Sequence, residues 1–455
     1  MSLLERNEVS KTLNYMEMAM AAKLKIIQRE TIRPSSPTPD NLKILNLSLL
    51  DQFTPITYTP LLLFYPPNDG DYVDRYEKVQ KLKKSLSETL THFYPLAGRI
   101  RDNSSIDCND QGAEFIEAQI DRLLSEFLKN PDTKMLNWFL PAAVESPEAA
   151  TGNLLLVQAT FFDCGGLAVG ICISHKMADA ATLSIFTKCW SAVAHPASSQ
   201  AVVTPPVFMG SSIFPPIDIS IPRTSIDLMQ KNCITKRFVF TASKITTLRA
   251  KLASETALDP TRVEAVSGLL WKSAMTGLRS RLGYSRPSIW SISINMRTRF
   301  LPPLPENYSG NCVGSIAPKM MDEDRCELEL KETFGRIRKE MDGFSENYAK
   351  KLQGKGALQA ICGIAKEFGE LVMSNEVDFY ICTSWCRFGL YDTDFGWGRP
   401  QWVSSTSMRV SNVAVLMDTR DGDGIEAWLT LTEEDMKFFE SDHELLEFAA
   451  VNPSI

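Results

Sequence analysis

The sequence predicts an α/β protein whose chain is divided into two halves of comparable size. Its 455 residues exceed what one ordinary hydrophobic core accommodates, which indicates more than one domain. Some segments carry apolar residues with the helical period and others with the strand period, and both kinds occur in each half. Between about residues 196 and 235 this periodicity lapses into Pro- and Ser-rich sequence. Such a long irregular stretch is typical of a crossover between domains.

The first half contains a helix, a pair of strands and a second helix in clear order. Apolar residues share one helical face over 79–93, and Pro95 ends that pattern. Residues 154–162 and 167–174 predict two strands that are joined by a tight reversal at Cys164-Gly165-Gly166. A second apolar stripe then predicts an amphipathic helix over 180–194.

The second half repeats this mixture of elements. The predicted strands are 236–241, a strand containing Trp290, Ile292 and Ile294, and the hairpin of 411–417 and 425–431 that turns at Gly422-Asp423-Gly424. The predicted helices are 243–254, 262–277, 327–350, 357–373 and a last one from residue 432. The predicted organisation is a disordered or non-native extension (1–20), an N-terminal domain (21–200), a crossover linker (201–235) and a C-terminal domain (236–455).

Composition and charge exclude several classes of protein. The net charge of −7 argues against a nucleic-acid scaffold, which normally carries a basic excess. No apolar run approaches the roughly 20 residues of a membrane-spanning helix. The ten cysteines form no CxxC pair and the four histidines show no metal-ligand spacing. We therefore expect reduced, mostly buried thiols, no zinc site and a cytoplasmic monomer.

The segment His175-Lys176-Met177-Ala178-Asp179 lies where a buried strand ends and a helix begins. A side chain at such a junction projects from a rigid edge, which suits a catalytic group. Histidine changes its charge near neutral pH and can abstract a proton from an attacking hydroxyl. The local pattern equally allows a core histidine at position 175 and a helix N-cap at Asp179. The spacing alone does not decide between these interpretations.

A second conspicuous segment is Asp394-Phe395-Gly396-Trp397-Gly398. Two glycines around a tryptophan indicate unusual backbone dihedral angles or very close packing. The indole N–H of Trp397 either belongs to a structural turn or, if it faces a cleft, stabilises a developing oxyanion. The sequence contains no GxSxG elbow, no GxxxxGK[ST] phosphate loop and no HExxH zinc motif.

Together, the HxxxD segment (175–179) and the DFGWG segment (394–398) resemble the paired signature of the BAHD family of plant acyl-CoA-dependent acyltransferases. Each of the two segments is weak evidence alone, but the pair in this order and at this separation is specific to the family. The stretch from TSWCR to GRP (383–400) most resembles the clade of alkaloid and terpenoid O-acetyltransferases that contains vinorine synthase. Further matches cover almost the whole chain: SSPTP (35–39), LSLLDQ (47–52), HFYPLAGRI (92–100), NSSIDCND (103–110), CGGLAVGICISHKMAD (164–179), RVEAVSGLLWK (262–272), NMRTR (295–299), PPLPENYSGN (302–311) and MDTRDGDGIEAW (417–428).

The resemblance implies a fold similar to that of chloramphenicol acetyltransferase, with two domains, mixed sheets and a channel between the domains. Acyl-CoA would enter this channel from one face and a small-molecule alcohol from the other. His175 would be the general base that removes the proton of the acceptor hydroxyl within a ternary complex. The implied co-substrate is acetyl-CoA, with no bound cofactor, no nucleic-acid or membrane partner, and no covalent acyl-enzyme.

The resemblance also suggests roles for other residues. The family's counterpart of Asp179 points away from the channel and pairs with an arginine, a position that Arg297 in NMRTR matches. Asp394 is mostly architectural in the family and is sometimes treated as a second proton acceptor. Trp397 is our candidate for assistance to the oxyanion, and Arg262 is our candidate partner for a CoA phosphate.

Three alternatives stay open from the sequence. The donor could be a bulkier or charged acyl-CoA (malonyl, tigloyl, benzoyl or hydroxycinnamoyl), although YSGN (308–311) departs from the YFGN pattern of many anthocyanin malonyltransferases. A non-catalytic binding protein could keep this fold, but it would not need His175, Asp179, Arg297 and Trp397 together. A hydrolase that uses Ser or Cys with His175 would release thiol from acyl-CoA without any acceptor.

Overall fold

The computed structural model describes residues 23–67, 74–195, 204–218, 232–321, 328–344, 351–352, 356–374 and 376–455. The predicted extension over 1–20 lies outside these described residues, as do parts of the predicted crossover. Within the described ranges the chain alternates between strands and helices and builds two large mixed sheets. This is the α/β architecture with two halves that the sequence predicts.

The strands of the described residues are numbered in chain order. They are β1 (Leu24–Ile32), β2 (Ile44–Asn46), β3 (Tyr58–Tyr65), β4 (Arg99–Asp102), β5 (Ser105–Asp107), β6 (Ala113–Ile120), β7 (Leu155–Phe162), β8 (Leu167–Ser174), β9 (Cys233–Phe240), β10 (Ser288–Asn295), β11 (Val313–Ile316), β12 (Lys319–Met320), β13 (Asp378–Ser384), β14 (Trp402–Ser404), β15 (Val413–Asp418), β16 (Ile425–Thr432) and β17 (Ala450–Val451).

The α-helices of the same residues are numbered in the same way. They are α1 (Leu49–Phe53), α2 (Arg75–His92), α3 (Leu124–Lys129), α4 (Ala180–Ala194), α5 (Gly210–Ile213), α6 (Ala242–Thr256), α7 (Arg262–Leu282), α8 (Leu330–Phe344), α9 (Ala357–Met373), α10 (Glu433–Phe439) and α11 (His443–Phe448). None of the helices in this described part of the chain has the length and apolarity that crossing a membrane requires.

The first sheet has six strands in the order β1-β6-β7-β8-β3-β14. The β6–β7 pair is parallel, and the other neighbours are antiparallel. Strands β3, β7 and β8 are buried along their whole length, because both faces of this central part are covered. That explains why their sequences are nearly continuous apolar runs rather than alternating ones. The β7–β8 hairpin turns at Gly165, whose φ of +83° is in the left-handed region that glycine tolerates.

The second sheet has the strand order β11-β10-β13-β15-β16-β9-β17, with β12 also paired to β10. Strands β10, β13 and β15 are parallel to one another, and the remaining pairs are antiparallel. The long helix α7 contributes a buried apolar face to the core of this sheet. It begins at a capping box formed by Thr261 and Glu264 and ends at Gly283, whose φ is +79°.

Most element bounds agree with the sequence pattern to within a few residues, and the exceptions are local. Strand β9 begins at Cys233 and therefore enters the predicted crossover. The helix predicted over 327–350 is observed as α8, and residues 345–350 lie outside the described ranges. The crossover itself is partly structured, because it contains α5 and a bridge between Val207 and Tyr308.

The predicted C-terminal domain of 236–455 needs a correction, because a part of it belongs to the first sheet. Strand β14 pairs with β3 and extends that sheet by one strand. Phe395 and Trp397 of the DFGWG segment are buried in the hydrophobic core of the first half. In the opposite direction, Leu49 of α1 is buried in the core of the second half. Hydropathy patterns reveal which segments are buried, but they do not reveal which core receives them.

Candidate active site

His175 follows the last residue of β8 and lies beside the start of β3. Its backbone N–H donates to the carbonyl of Thr57 at 2.8 Å, which extends the antiparallel pairing of β8 with β3. Four residues later, Asp179 accepts a hydrogen bond from the N–H of Thr182 at 2.8 Å and so caps the N-terminus of α4. A central strand and a capped helix therefore fix both ends of the HxxxD segment.

The imidazole of His175 is oriented by an amide from the second half of the chain. Its Nδ1 lies 3.1 Å from Oδ1 of Asn311. The orientation of this amide is determined by its Nδ2, which donates to the backbone carbonyl of His175 and to Oδ1 of Asp51, both at 2.8 Å. Because Oδ1 of Asn311 can only accept, Nδ1 of His175 must carry the proton. Nε2 of the neutral imidazole is then an unprotonated base.

Asp51 supports Asn311 without contacting His175. Its Oδ1 accepts hydrogen bonds from the backbone N–H of Asn311 at 2.9 Å and from the Asn311 side chain. Its Oδ2 accepts from the N–H of Ser48 at 2.7 Å and from the Ser48 hydroxyl at 2.6 Å, which closes a capping box at the start of α1. Burial raises the pKa of Asp51, and the hydrogen bonds from Ser48 and Asn311 oppose that increase.

Burial also determines the ionisation of the two basic side chains in the HxxxD segment. It lowers the pKa of His175 below the usual value of 6.5, whereas the carboxylate of Asp179 raises it to a smaller extent. The pKa of Lys176 falls to about 8, because its ammonium is desolvated. That ammonium donates to the carbonyls of Gln52 at 2.8 Å and Thr54 at 2.6 Å. Through these two hydrogen bonds, Lys176 connects the C-terminal end of α1 to the HxxxD segment.

Asp179 and Arg297 form a buried, bidentate ion pair. Nη1 of Arg297 lies 2.8 Å from Oδ2 of Asp179, and Nη2 lies 2.9 Å from Oδ1. The same carboxylate accepts from the N–H groups of Thr182 and Cys312. Burial alone would raise the pKa of Asp179, but the guanidinium and these donors hold it below the usual value. All four hydrogen-bonding positions of the carboxylate are therefore used inside the protein.

The Arg297 guanidinium also donates to three further acceptors. It donates to the carbonyls of Tyr308 at 3.1 Å and Gly310 at 2.8 Å, and to Oγ1 of Thr182 at 3.0 Å. Since Thr182 belongs to the first half and the other acceptors to the second, this cluster joins the two halves directly behind His175. The site consequently lies at the junction between the halves.

Trp397 lies far from His175 along β3, and this position does not support its predicted role in assisting the oxyanion. Its ring packs 6.1 Å from the ring of Tyr65, at one end of β3, while His175 lies beyond Tyr58, at the other end. Seven residues of extended strand correspond to about 24 Å. The buried indole packs with Tyr65 and Phe395 inside the first core. Strand pairing, which a single sequence does not reveal, determines this separation.

Asp394 is likewise remote from the base, and its carboxylate is used by its own loop. Oδ1 of Asp394 accepts from the N–H of Gly396 at 2.7 Å and of Gly398 at 3.0 Å. Both glycines have positive φ, +103° and +96° respectively. These contacts fit the architectural alternative, and the role of a second proton acceptor stays a prediction that they do not support.

Arg262, the predicted partner of a CoA phosphate, is engaged with the hairpin between β15 and β16. Its guanidinium donates to the carbonyls of Gly422 at 2.7 Å and Gly424 at 3.3 Å, and to Oδ1 of Asp418 at 3.1 Å. These contacts give Arg262 a structural role in the tight turn that the sequence predicts at 422–424.

Sequence reasoning missed Asn311 and Asp51 as parts of the site. Both lie in segments that carry the family resemblance, LSLLDQ (47–52) and PPLPENYSGN (302–311). An asparagine and an aspartate separated by 260 residues show no relation in the sequence, so only the folded chain reveals that they meet. Among the described residues, no group of three or more His, Cys, Asp and Glu side chains is arranged to hold a metal ion.

Comparison with known proteins identifies the family. The model of the Transferase family matches residues 22–446 of this chain. The BAHD acyltransferase BIA1 of Arabidopsis thaliana is 38% identical over 448 residues, which cover 96% of this chain and 100% of that protein. The chain belongs to the BAHD acyltransferases. It is therefore an acyl-CoA-dependent O-acyltransferase, as the paired HxxxD and DFGWG segments predict.

Further relatives carry more specific names. The stemmadenine O-acetyltransferase of Catharanthus roseus is 36% identical over 429 residues, covering 93% of this chain and 97% of that protein. A limonoid 21-O-acetyltransferase of Melia azedarach is 36% identical over 442 residues, covering 95% and 99%. The crystal structure of vinorine synthase matches this BAHD enzyme with a TM-score of 0.81 at 33% identity, covering 95% of this chain and 100% of that chain. The predicted two-domain fold and the predicted resemblance are thus confirmed.

Proposed function

We propose that this enzyme transfers the acetyl group of acetyl-CoA to a hydroxyl of an alkaloid or terpenoid alcohol, with His175 as the general base. One observation carries the assignment of the base. The hydrogen bond between Nδ1 of His175 and Oδ1 of Asn311 leaves Nε2 as a neutral proton acceptor. The acetyl donor and the class of acceptor rest on relatives that are named as O-acetyltransferases of stemmadenine and of limonoids.

The reaction then needs one proton carrier and no covalent intermediate. Nε2 of His175 takes the proton of the acceptor hydroxyl while the oxygen attacks the thioester carbonyl carbon. The tetrahedral oxyanion collapses, the C–S bond breaks, and the departing thiolate receives the proton from His175. The lowered pKa of His175 keeps the imidazole neutral at physiological pH, so that the base is ready before each cycle.

Asn311, Asp179 and Arg297 act on this chemistry through geometry. Asn311 selects the tautomer, while the Asp179–Arg297 pair fixes the segment that carries His175 and the segment that carries Asn311. Because Asp179 is fully occupied by internal donors, it is a positioning residue and not a proton acceptor. Site geometry of this kind costs the enzyme no reorganisation during the reaction.

The test is free-thiol release from a panel of acyl-CoAs incubated with pooled alkaloid and terpenoid alcohols. Release that depends on an acceptor and is strongest with acetyl-CoA supports the proposal, and mass spectrometry of the product identifies the acceptor. Preference for malonyl-, tigloyl-, benzoyl- or hydroxycinnamoyl-CoA would overturn the donor. Release without an acceptor would indicate a hydrolase, and the absence of release across an extended panel would indicate a binding protein.

The variant His175→Ala tests the base itself. Loss of a general base lowers the rate by about 10²–10⁴-fold, and the protein should remain folded because His175 is only partly buried. The exposed His92 provides the matched control, since His92→Ala removes the same side chain outside the HxxxD segment. Turnover of His175→Ala at the rate of this control would refute the assignment.

A further inference from the structure

Asp51 is a buried carboxylate that the proposed reaction does not use. Only 6% of its surface is exposed, yet four hydrogen bonds from Ser48 and Asn311 converge on it. The two bonds from Ser48 are local to the start of α1, where the N–H of Ser48 completes the capping box and the hydroxyl adds a second bond. The other two bonds reach across to the second half of the chain and end on the residue that orients His175.

The amide of Asn311 has two possible orientations, and Asp51 distinguishes between them. In the observed orientation, the NH2 group faces two acceptors, Oδ1 of Asp51 and the carbonyl of His175. In the reversed orientation, the amide oxygen would face these same two acceptors, and its NH2 group would face Nδ1 of His175. That arrangement forces the imidazole proton onto Nε2, where it blocks the lone pair that the reaction needs.

We propose that Asp51 is a positioning residue of the acyl transfer, which sets the tautomer of His175 through the amide of Asn311. This inference rests on the proposed role of His175 as the base. The arrangement places a neutral amide between the carboxylate and the imidazole, so that the carboxylate fixes the proton position without contacting the ring. A carboxylate suits this task because it only accepts hydrogen bonds and cannot itself be reversed, unlike an amide.

Other charged groups around His175 do not perform this function. Lys176 donates to the carbonyls of Gln52 and Thr54 and cannot accept a hydrogen bond. Asp179 directs both carboxylate oxygens to Arg297 and backbone N–H groups. Arg297 in turn donates to Asp179 and to backbone carbonyls. Among these groups, Asp51 alone contacts the side chain of Asn311.

The variant Asp51→Asn keeps the size of the side chain but replaces the carboxylate, which has two acceptor oxygens, by an amide, which can take two different orientations. If the oxygen of the new amide faces Asn311, its NH2 group faces the N–H of Ser48, and two donors are then opposed. If its NH2 group faces Asn311 instead, it donates to the amide oxygen of Asn311 and stabilises the reversed orientation of that amide. We expect kcat to fall by about ten- to hundredfold, with KM for acetyl-CoA unchanged. Asp435 forms the equivalent contact with Thr432 at the start of α10. Asp435→Asn is therefore the matched control, which should change stability but not kcat.

A spectroscopic measurement reads the tautomer directly and needs no substrate. In protein labelled with ¹⁵N-histidine, the imidazole shifts distinguish Nδ1–H from Nε2–H, and His175→Ala identifies the signals of His175. The expected result is Nδ1–H in the wild type and a substantial Nε2–H population in Asp51→Asn at the same pH. An Nε2–H tautomer in the wild type would overturn the proposal, as would an unchanged tautomer in folded Asp51→Asn.

Kinetics in a second background remain informative if Asp51→Asn folds poorly. Since Asp51 acts through Asn311, adding Asp51→Asn to Asn311→Ala should lower kcat of the folded fraction by less than about twofold. If Asp51→Asn lowered kcat as much in the Asn311→Ala background as in the wild type, Asp51 would not act through Asn311, and the proposal would be overturned. If His175→Ala kept full acyl transfer, the proposed role of His175 as the base would fail. If only Asp51→Asn kept full activity and the wild-type tautomer, the role of Asp51 alone would fail.

Discussion

Replacing Asp179 by alanine tests whether the ion pair with Arg297 is the structural centre of the site. The change removes both bonds to the guanidinium, the cap on α4 and the acceptor for the N–H of Cys312. It leaves a charged guanidinium that is only 4% exposed. Its remaining acceptors, such as the carbonyls of Tyr308 and Gly310, are neutral.

The expected loss follows from the burial of the pair. Removing one partner of a buried ion pair costs about 3–5 kcal/mol, because the other charge stays uncompensated. For domains of this size, 1 kcal/mol corresponds to about 2–4 °C in the midpoint of thermal unfolding. We therefore expect Asp179→Ala to lower that midpoint by about 6–20 °C. Activity of the remaining folded protein should also fall, since His175 loses its support on the helical side.

Thermal unfolding of a double-mutant cycle provides the measurement. Because Arg297→Ala removes the uncompensated charge, the double variant should be more stable than the sum of the single losses by about 0.5–3 kcal/mol. The exposed pair of Arg249 and Asp259 supplies a control, and Asp259→Ala should cost at most about 1 kcal/mol. Strictly additive losses at Asp179 and Arg297 would refute the reasoning, and so would a loss no larger than that of the control.

Three further predictions concern pH, the DFGWG loop and its glycines. Since burial lowers the pKa of His175 and the neutral imidazole is the active form, kcat/KM should fall on acidification only below about pH 6.5; a midpoint above pH 7 in a pH–rate profile would contradict this. Trp397→Phe should keep kcat within about threefold while lowering the unfolding midpoint, because the indole packs about 24 Å of strand away from the base; a large loss of kcat with unchanged stability would restore a catalytic role. Gly396→Ala should destabilise the protein by about 1–2 kcal/mol, since its φ is +103°, a conformation that L side chains rarely adopt. Unfolding in denaturant measures this loss, and the control is Gly335→Ala, whose Cβ would meet open space in helix α8 and which should stabilise the protein by about 0.5–1 kcal/mol.

The elements that sequence reasoning located well are those whose hydrophobic pattern is local. The β7–β8 hairpin and helix α4 agree with their predicted ranges to within one residue, because apolar periodicity, a glycine turn and the Asp179 cap act within a few residues of one another. The hairpin at Gly422 follows from its turn residues in the same way.

Non-local pairing is the part that the sequence did not provide. Trp397 and His175 both belong to motifs of the family, and that shared membership suggested a shared site. The structure separates them because β3 runs between them, and the register of β3 with β8 depends on contacts between residues more than a hundred positions apart. Asn311 illustrates the converse case. Its amide belongs to the site only because folding places it between the imidazole of His175 and the carboxylate of Asp51.

The pairing of β14, from the second half of the chain, with β3 of the first sheet also has a consequence for the biosynthesis of the enzyme. Five strands of the first sheet are available once Ser174 has left the ribosome, but the strand that pairs with β3 follows more than two hundred residues later. Until then, β3 presents an open hydrogen-bonding edge, which is a surface prone to association with other chains. Two fragments divided between residues 218 and 232 should therefore assemble into active enzyme only when they are produced together. A first fragment produced alone would depend on chaperones for its solubility.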